Sequence, residues 1–170
     1  MRTLLLMRHG AAASPPGYAD RERPLTNRGR GRSLRAGDDL RRRQPLPERV
    51  LLSPAVRARE TWEAYALGLQ APQNIESVVE TDGRIYQNTV DDLLDALRET
   101  IDDVTNVLVI GHNPSIAGLA GVLDESTQNP LRSELTDGFP TASVAVFEFD
   151  TVWSELREGE ARLTEALVRR

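Results

Sequence analysis

The strongest constraint in this chain is a pair of short apolar runs that both stop at a histidine. Leu4-Leu5-Leu6-Met7 runs into Arg8-His9-Gly10, and Val107-Leu108-Val109-Ile110 runs into Gly111-His112-Asn113-Pro114. Four consecutive apolar residues bounded by a turn signal read as a strand buried on both faces. The chain has only these two histidines. In open α/β sheets, ligands bind in the crevice outside the carboxyl ends of the strands. Both imidazoles therefore fall where such a fold does its chemistry.

The remaining segments supply the helical layers in alternation with strands. Ala11 to Pro24 reads as a loop, and Leu25-Thr26 opens a helix to about Arg43. Three glycines weaken that helix, at about 1 kcal/mol each relative to Ala. Val50-Leu51-Leu52 is a second strand. Ser53-Pro54 then reads as a cap followed by proline at the first helical position, with the helix reaching about Leu67. Ile75 to Thr81 is a short extended segment. Thr89 starts the clearest helix, with Val90, Leu93, Leu94, Leu97 and Ile101 on one face. Asn113-Pro114 repeats the cap-then-proline pattern before Ile116, Leu119 and Leu123. Asp124 to Pro140 reads as a polar loop, Ala142 to Phe149 as a strand, Val152-Trp153 as another, and Glu160 to Arg170 as a terminal helix. The expectation is one α/β domain over residues 1–170, a three-layer sandwich with a mostly parallel central sheet and helices on both faces.

Composition narrows the chemistry. Net charge is −5, which gives no global electrostatic case for nucleic acid or an anionic membrane. No apolar run approaches the length of a spanning helix, and the N-terminal run is too short for the apolar region of a signal peptide. A cytoplasmic location is the expectation. Without cysteine there are no disulfides, thiolate nucleophiles or cysteine metal ligands. All 21 basic residues are arginine, so no lysine Schiff base and no P-loop lysine can operate. No metal-ligand spacing surrounds either histidine, so neither a metal nor another cofactor is expected.

The arginines point to anion chemistry. If Ser53 caps its helix, Arg57 stands in the first turn, where a cation opposes the helix dipole by about 0.3–1 kcal/mol. An anion bound at that helix N-terminus reverses the sign. Arg8, at the end of a neighbouring strand, can reach the same place, and guanidinium groups grip phosphate in bidentate fashion. A solvated surface charge is the competing reading for Arg57. His9 can be a structural histidine, a metal ligand or a nucleophile. An attack on phosphorus needs a neutral, oriented imidazole with cations around the phosphoryl oxygens, and Arg8, Arg57 and His112 can provide that setting.

These residues resemble the signature of the histidine phosphatase superfamily. Arg8-His9-Gly10 after a first strand is similar to its first motif. Ser53-Pro54 with Arg57, Ala58 and Thr61 resembles the second, and Gly111-His112-Asn113 the third. Arg23-Pro24-Leu25-Thr26 with Gly29, and Phe139-Pro140-Thr141-Ala142-Ser143, resemble segments of the small SixA-type phosphohistidine phosphatases. The similarity spans about Leu4 to Trp153. It implies a phosphoglycerate mutase-like fold and metal-independent phosphoryl transfer through a phosphohistidine on His9. It also implies that Arg8 and Arg57 grip the phosphoryl oxygens, that His112 stabilises the developing charge, and that Arg23 lines the pocket.

The chain departs from the family at Ala11, where many members carry an acid. The proton donor is therefore open. Asp20 is one candidate, Glu80 and Asp82 are others, and each can equally be a solvated loop carboxylate. An alkoxide leaving group benefits greatly from protonation, whereas imidazole leaves more readily. The weak acid signal favours a phosphohistidine or other phosphoramidate substrate, and the compact length, with little room for a covering insertion, suits a phosphohistidine borne by a protein. The alternatives are a small-molecule phosphomonoesterase and a phosphate-binding module without turnover. The expected partner is accordingly a phosphorylated protein or a small phosphorylated molecule.

Overall fold

A computed structural model describes residues 1–126, 128–136 and 138–168. Its centre is a six-stranded sheet. In chain order the strands are β1 (Arg2–Arg8), β2 (Arg49–Leu52), β3 (Val79–Thr81), β4 (Asn106–Gly111), β5 (Val144–Phe149) and β6 (Arg162–Leu167). In space they run β3-β2-β4-β1-β5-β6. The first four in that order are mutually parallel, and β5 and β6 add antiparallel partners. The expected mixed α/β sandwich is therefore the observed one.

The unbroken apolar run of β1 is explained by two cores. Leu4 and Leu6 point into a cluster with α3 (Val90–Arg98), α4 (Ser115–Leu123) and α5 (Arg132–Thr136). Leu5 and Met7 point the other way, to α1 (Asn27–Leu40) and α2 (Val56–Leu69). Successive strand side chains alternate faces, so a strand covered on both sides shows no polar period.

Helix α1 starts where expected. The Thr26 hydroxyl accepts the Gly29 N–H at 3.0 Å. Gly37 in α1 and Gly68 in α2 are explained by close backbone approach. A Cβ on Gly37 would lie 2.1 Å from the Tyr65 carbonyl oxygen, and one on Gly68 would lie 2.0 Å from that of Leu34. Helix propensity is given up so that α1 and α2 can cross almost backbone to backbone. Thr89 and Asp92 form a reciprocal capping box on α3. That helix ends at Arg98, because the chain turns there to enter β4, and Ile101 lies in the turn at 68% exposure rather than on the apolar stripe.

Several expectations change. Ser53 is not a helix cap: α2 begins at Val56, with Ala55 in the cap position and no side-chain cap. Asn113 does not cap α4; its amide donates to the Gly138 and Phe139 carbonyls. Trp153 belongs to a short 3-10 turn, Trp153–Glu155, not a strand. Its ring packs edge-on to Phe149, and its indole N–H reaches the Val104 carbonyl. The polar loop contains α5. The segment expected as a terminal helix is β6, pairing with β5; Arg169 and Arg170 lie outside the described residues. Sheet pairing and the burial of Leu163 override its helix propensity there.

The crossing of α1 and α2 gives a direct test. Gly37→Ala is expected to destabilise the protein by about 1–3 kcal/mol, the range for overpacking a close contact. Urea unfolding measures it, and an unmoved midpoint would contradict the close crossing.

Candidate active site

The site is assembled at the carboxyl ends of β1, β2 and β4. Arg8 is paired in register with Gly111, so the next residues, His9 and His112, come out side by side. Their ring centroids are 4.9 Å apart. The Ser53 N–H bonds to the Ile110 carbonyl and brings the end of β2 to the same place. Thr61 on α2 ties the turn down: its hydroxyl accepts the Gly10 N–H at 2.9 Å and donates to the Arg57 carbonyl at 2.6 Å.

His9 is oriented by its own neighbour. Its Nδ1 lies 2.7 Å from the Gly10 carbonyl oxygen, which can only accept, so the proton sits on Nδ1. The Nε2 lone pair faces the pocket and accepts from Arg57 Nε at 3.3 Å. Burial, reinforced by Arg57, Arg8 and Arg23, lowers the His9 pKa to about 4, despite the opposing Gly10 hydrogen bond. His112 is held in the opposite sense. Arg57 Nη2 donates toward its Nδ1 at 3.4 Å, so Nε2–H donates to the Ser53 hydroxyl at 2.6 Å. Burial, followed by the neighbouring His9 and Arg57, lowers its pKa to about 3.

Arg57 lies in the first turn of α2 with only 8% of its side chain exposed. It is not a solvated surface charge. Arg8 Nη1 donates to the Phe139 carbonyl at 3.1 Å, while its Nε is buried without a hydrogen-bond partner. The segment that receives it is strained. Phe139 and Ala142 have φ of 44° and 61°, values uncommon for side chains with a Cβ. The buried Phe139 ring and the Ala142 N–H, which reaches the Arg8 and His9 carbonyls, hold that conformation.

Asp20 also reaches the site. Its carboxylate accepts from Tyr86 Oη at 2.7 Å, Arg57 Nη2 at 3.0 Å and Arg23 Nη1 at 3.1 Å. The Tyr86 hydroxyl first, then Arg57 and Arg23, hold its pKa well below the usual carboxylate range. It is an ionised acceptor. The other two candidate acids lie elsewhere: Glu80 pairs with Arg49, and Asp82 with Arg84. The resulting cavity measures about 460 Å³, and Asp20 is the one carboxylate lining it among the described residues. No group of three His, Asp or Glu side chains among the described residues is arranged to hold a metal.

Tyr86 was not singled out by its sequence position. Its ring meets His112 edge-on at 5.5 Å, and the Arg57 guanidinium lies 6.0 Å from its centroid. The available signal was topological. β3 ends beside β2, so the segment after it opens on the same end of the sheet as His9 and His112.

Two imidazoles and three arginines thus line one cavity. The family model described as histidine phosphatase superfamily (branch 1) matches residues 4–87. Phosphohistidine phosphatase SixA of Escherichia coli K12 is 32% identical over 86% of this chain and 85% of its own length. A solved structure described as a putative SixA phosphohistidine phosphatase from Nakamurella multipartitia is 31% identical. It covers 97% of this chain and 94% of its own, with a TM-score of 0.83. A protein histidine phosphatase SixA solved with tungstate is 27% identical, with coverage of 98% and 96% and a TM-score of 0.77. The fold and the family match define a phosphatase. The chain belongs to the histidine phosphatase superfamily.

The depressed histidine pKa values carry an expected outcome. Ring-nitrogen NMR should find both histidines neutral from pH 7 down to about pH 5, with His9 protonating near 4. A midpoint near the ordinary value of about 6.5 would contradict the buried, arginine-flanked setting.

Proposed function

We propose that this protein is a metal-independent phosphohistidine phosphatase in which His9 is the nucleophile. A neutral imidazole with its lone pair on Nε2 is the form that attacks phosphorus, and the Nδ1–H bond to Gly10 selects it; the long 3.3 Å contact from Arg57 Nε must give way as the P–N bond forms. The Nε2 lone pair forms a P–N bond while the bond from phosphorus to the substrate nitrogen breaks. The departing electron pair stays on the substrate imidazole, whose distal nitrogen takes a proton from water. Positive charge arising on His9 is stabilised by the Gly10 carbonyl at 2.7 Å. Water then attacks phosphorus, orthophosphate leaves and His9 is restored.

Arg57, Arg8 and Arg23 serve the phosphoryl oxygens. Phosphoryl transfer passes through a loose transition state with charge spread over those oxygens, so positioning and fixed positive charge supply most of the catalysis. His112 presents Nδ1 as an acceptor while neutral. A phosphoryl dianion beside it raises its pKa, and the protonated ring donates to a phosphoryl oxygen as charge builds.

The observation that carries the choice of substrate is the state of Asp20. The one carboxylate lining the cavity is held ionised by Tyr86, Arg57 and Arg23. A group with so low a pKa is a poor general acid near neutrality. The favoured substrate therefore has a leaving group that needs no enzyme acid, as an N-phosphorylated imidazole does. A protein-borne phosphohistidine fits a cavity whose lining is open to solvent at Asp20, 55% exposed.

The reading is tested by comparing phosphoramidate and protein phosphohistidine with alkyl phosphates. The expected kcat/KM ratio favours the P–N substrates by about 100-fold, the scale of one missing general acid. Equal or faster turnover of alkyl phosphates would instead select the small-molecule phosphomonoesterase reading.

A further inference from the structure

Arg57 is almost fully engaged by atoms of the protein itself. A guanidinium carries five N–H donors. In Arg57, Nε donates to His9 Nε2, and Nη1 donates to the Asp20 carbonyl oxygen at 2.5 Å. Nη2 serves both the Asp20 carboxylate and His112 Nδ1. The other oxygen of that carboxylate takes Arg23 Nη1. Asp20 thus bridges two of the arginines that line the cavity, and Tyr86 Oη adds a third hydrogen bond to it.

We infer that Asp20 is an internal ligand of the phosphoryl pocket, and that phosphoryl groups bind by exchange with its carboxylate. The inference rests on the phosphoryl reading of the cavity given above. It follows from donor arithmetic at Arg57, where both Nη2 hydrogens are committed, to the Asp20 carboxylate and to His112 Nδ1, so a phosphoryl oxygen can engage Nη2 only by displacing one of them. The carboxylate can leave easily. It projects from a three-residue 3-10 turn, Asp20–Glu22, and its side chain is 55% exposed, so it is released into water. Arg57 cannot follow it, being buried. An uncompensated buried guanidinium is costly, and the exchange always leaves it facing an anion. Asp20 acts here as a specificity-determining residue that sets how strongly an anion must bind in order to enter.

The consequence separates this role from acid catalysis. An internal competitor weakens substrate and product binding alike, so it raises KM and the orthophosphate inhibition constant together and leaves kcat alone. A proton donor would govern kcat.

Orthophosphate is the probe, with titration calorimetry on the full chain and on Asp20→Asn and Tyr86→Phe. Asp20→Asn is expected to tighten orthophosphate binding about five- to tenfold, the scale of relieving two charge-assisted contacts at a partly exposed group. Tyr86→Phe loosens the same carboxylate and should tighten binding about twofold. KM for phosphoramidate should fall in parallel in Asp20→Asn, by about the same five- to tenfold as the orthophosphate dissociation constant. If the unaltered protein binds orthophosphate and Asp20→Asn binds it equally or more weakly, the exchange is wrong and Asp20 merely positions Arg57. A large loss of kcat in Asp20→Asn also overturns it. If the unaltered protein and both variants alike take up no orthophosphate, the phosphoryl reading falls together with the exchange.

Discussion

The parallel pairing of β1 with β4 is the interaction on which the site depends. Its register sets Arg8 opposite Gly111 and so delivers His9 and His112 as neighbours, although 103 positions separate them in the chain. A slip of one residue would turn Leu4 and Leu6 into the wrong core and carry His9 away from its partner. The two cores that lock the register, with α1 and α2 on one face and α3 and α4 on the other, also hold the pair of imidazoles in place.

Around that pair the electrostatics are arranged by burial and fixed positive charge. Both rings are desolvated among arginines and are therefore neutral. The Gly10 carbonyl and the Ser53 hydroxyl then assign opposite tautomers: His9 is protonated at Nδ1 and His112 at Nε2. Equivalent strand ends thus give two inequivalent bases, one with its lone pair on the distal nitrogen and one with it on the proximal nitrogen. Thr61 links the arrangement to α2, because the same hydroxyl holds Gly10 and the carbonyl of Arg57.

Much of this was legible in the sequence. The apolar runs, the strand-to-helix junctions and the motif residues were enough to bring His9, Arg8, Arg57, His112 and Arg23 to one cavity. Ser53 was legible as part of a motif but misread as a cap, since Ser-Pro is a common helix start and the competing partner, His112, lies 59 positions away. The C-terminal strand was read as a helix because Glu, Ala and Leu favour one, and only the edge of β5 makes a strand the better solution. Tyr86 and the state of Asp20 depend on contacts between loops, which no local periodicity encodes. Asp20 was a candidate acid by proximity to Arg23. Its setting between Tyr86, Arg57 and Arg23 makes it an ionised acceptor.

In the proposed reaction His9 Nε2 carries the phosphoryl group during turnover. Rapid quenching in alkali during phosphoramidate hydrolysis, followed by peptide mass spectrometry, tests it most directly. An acid-labile phosphoryl group is expected on the peptide containing His9, and in His9→Ala it should disappear together with turnover. A phosphoryl group on His112 instead, or undiminished turnover by His9→Ala, would contradict it.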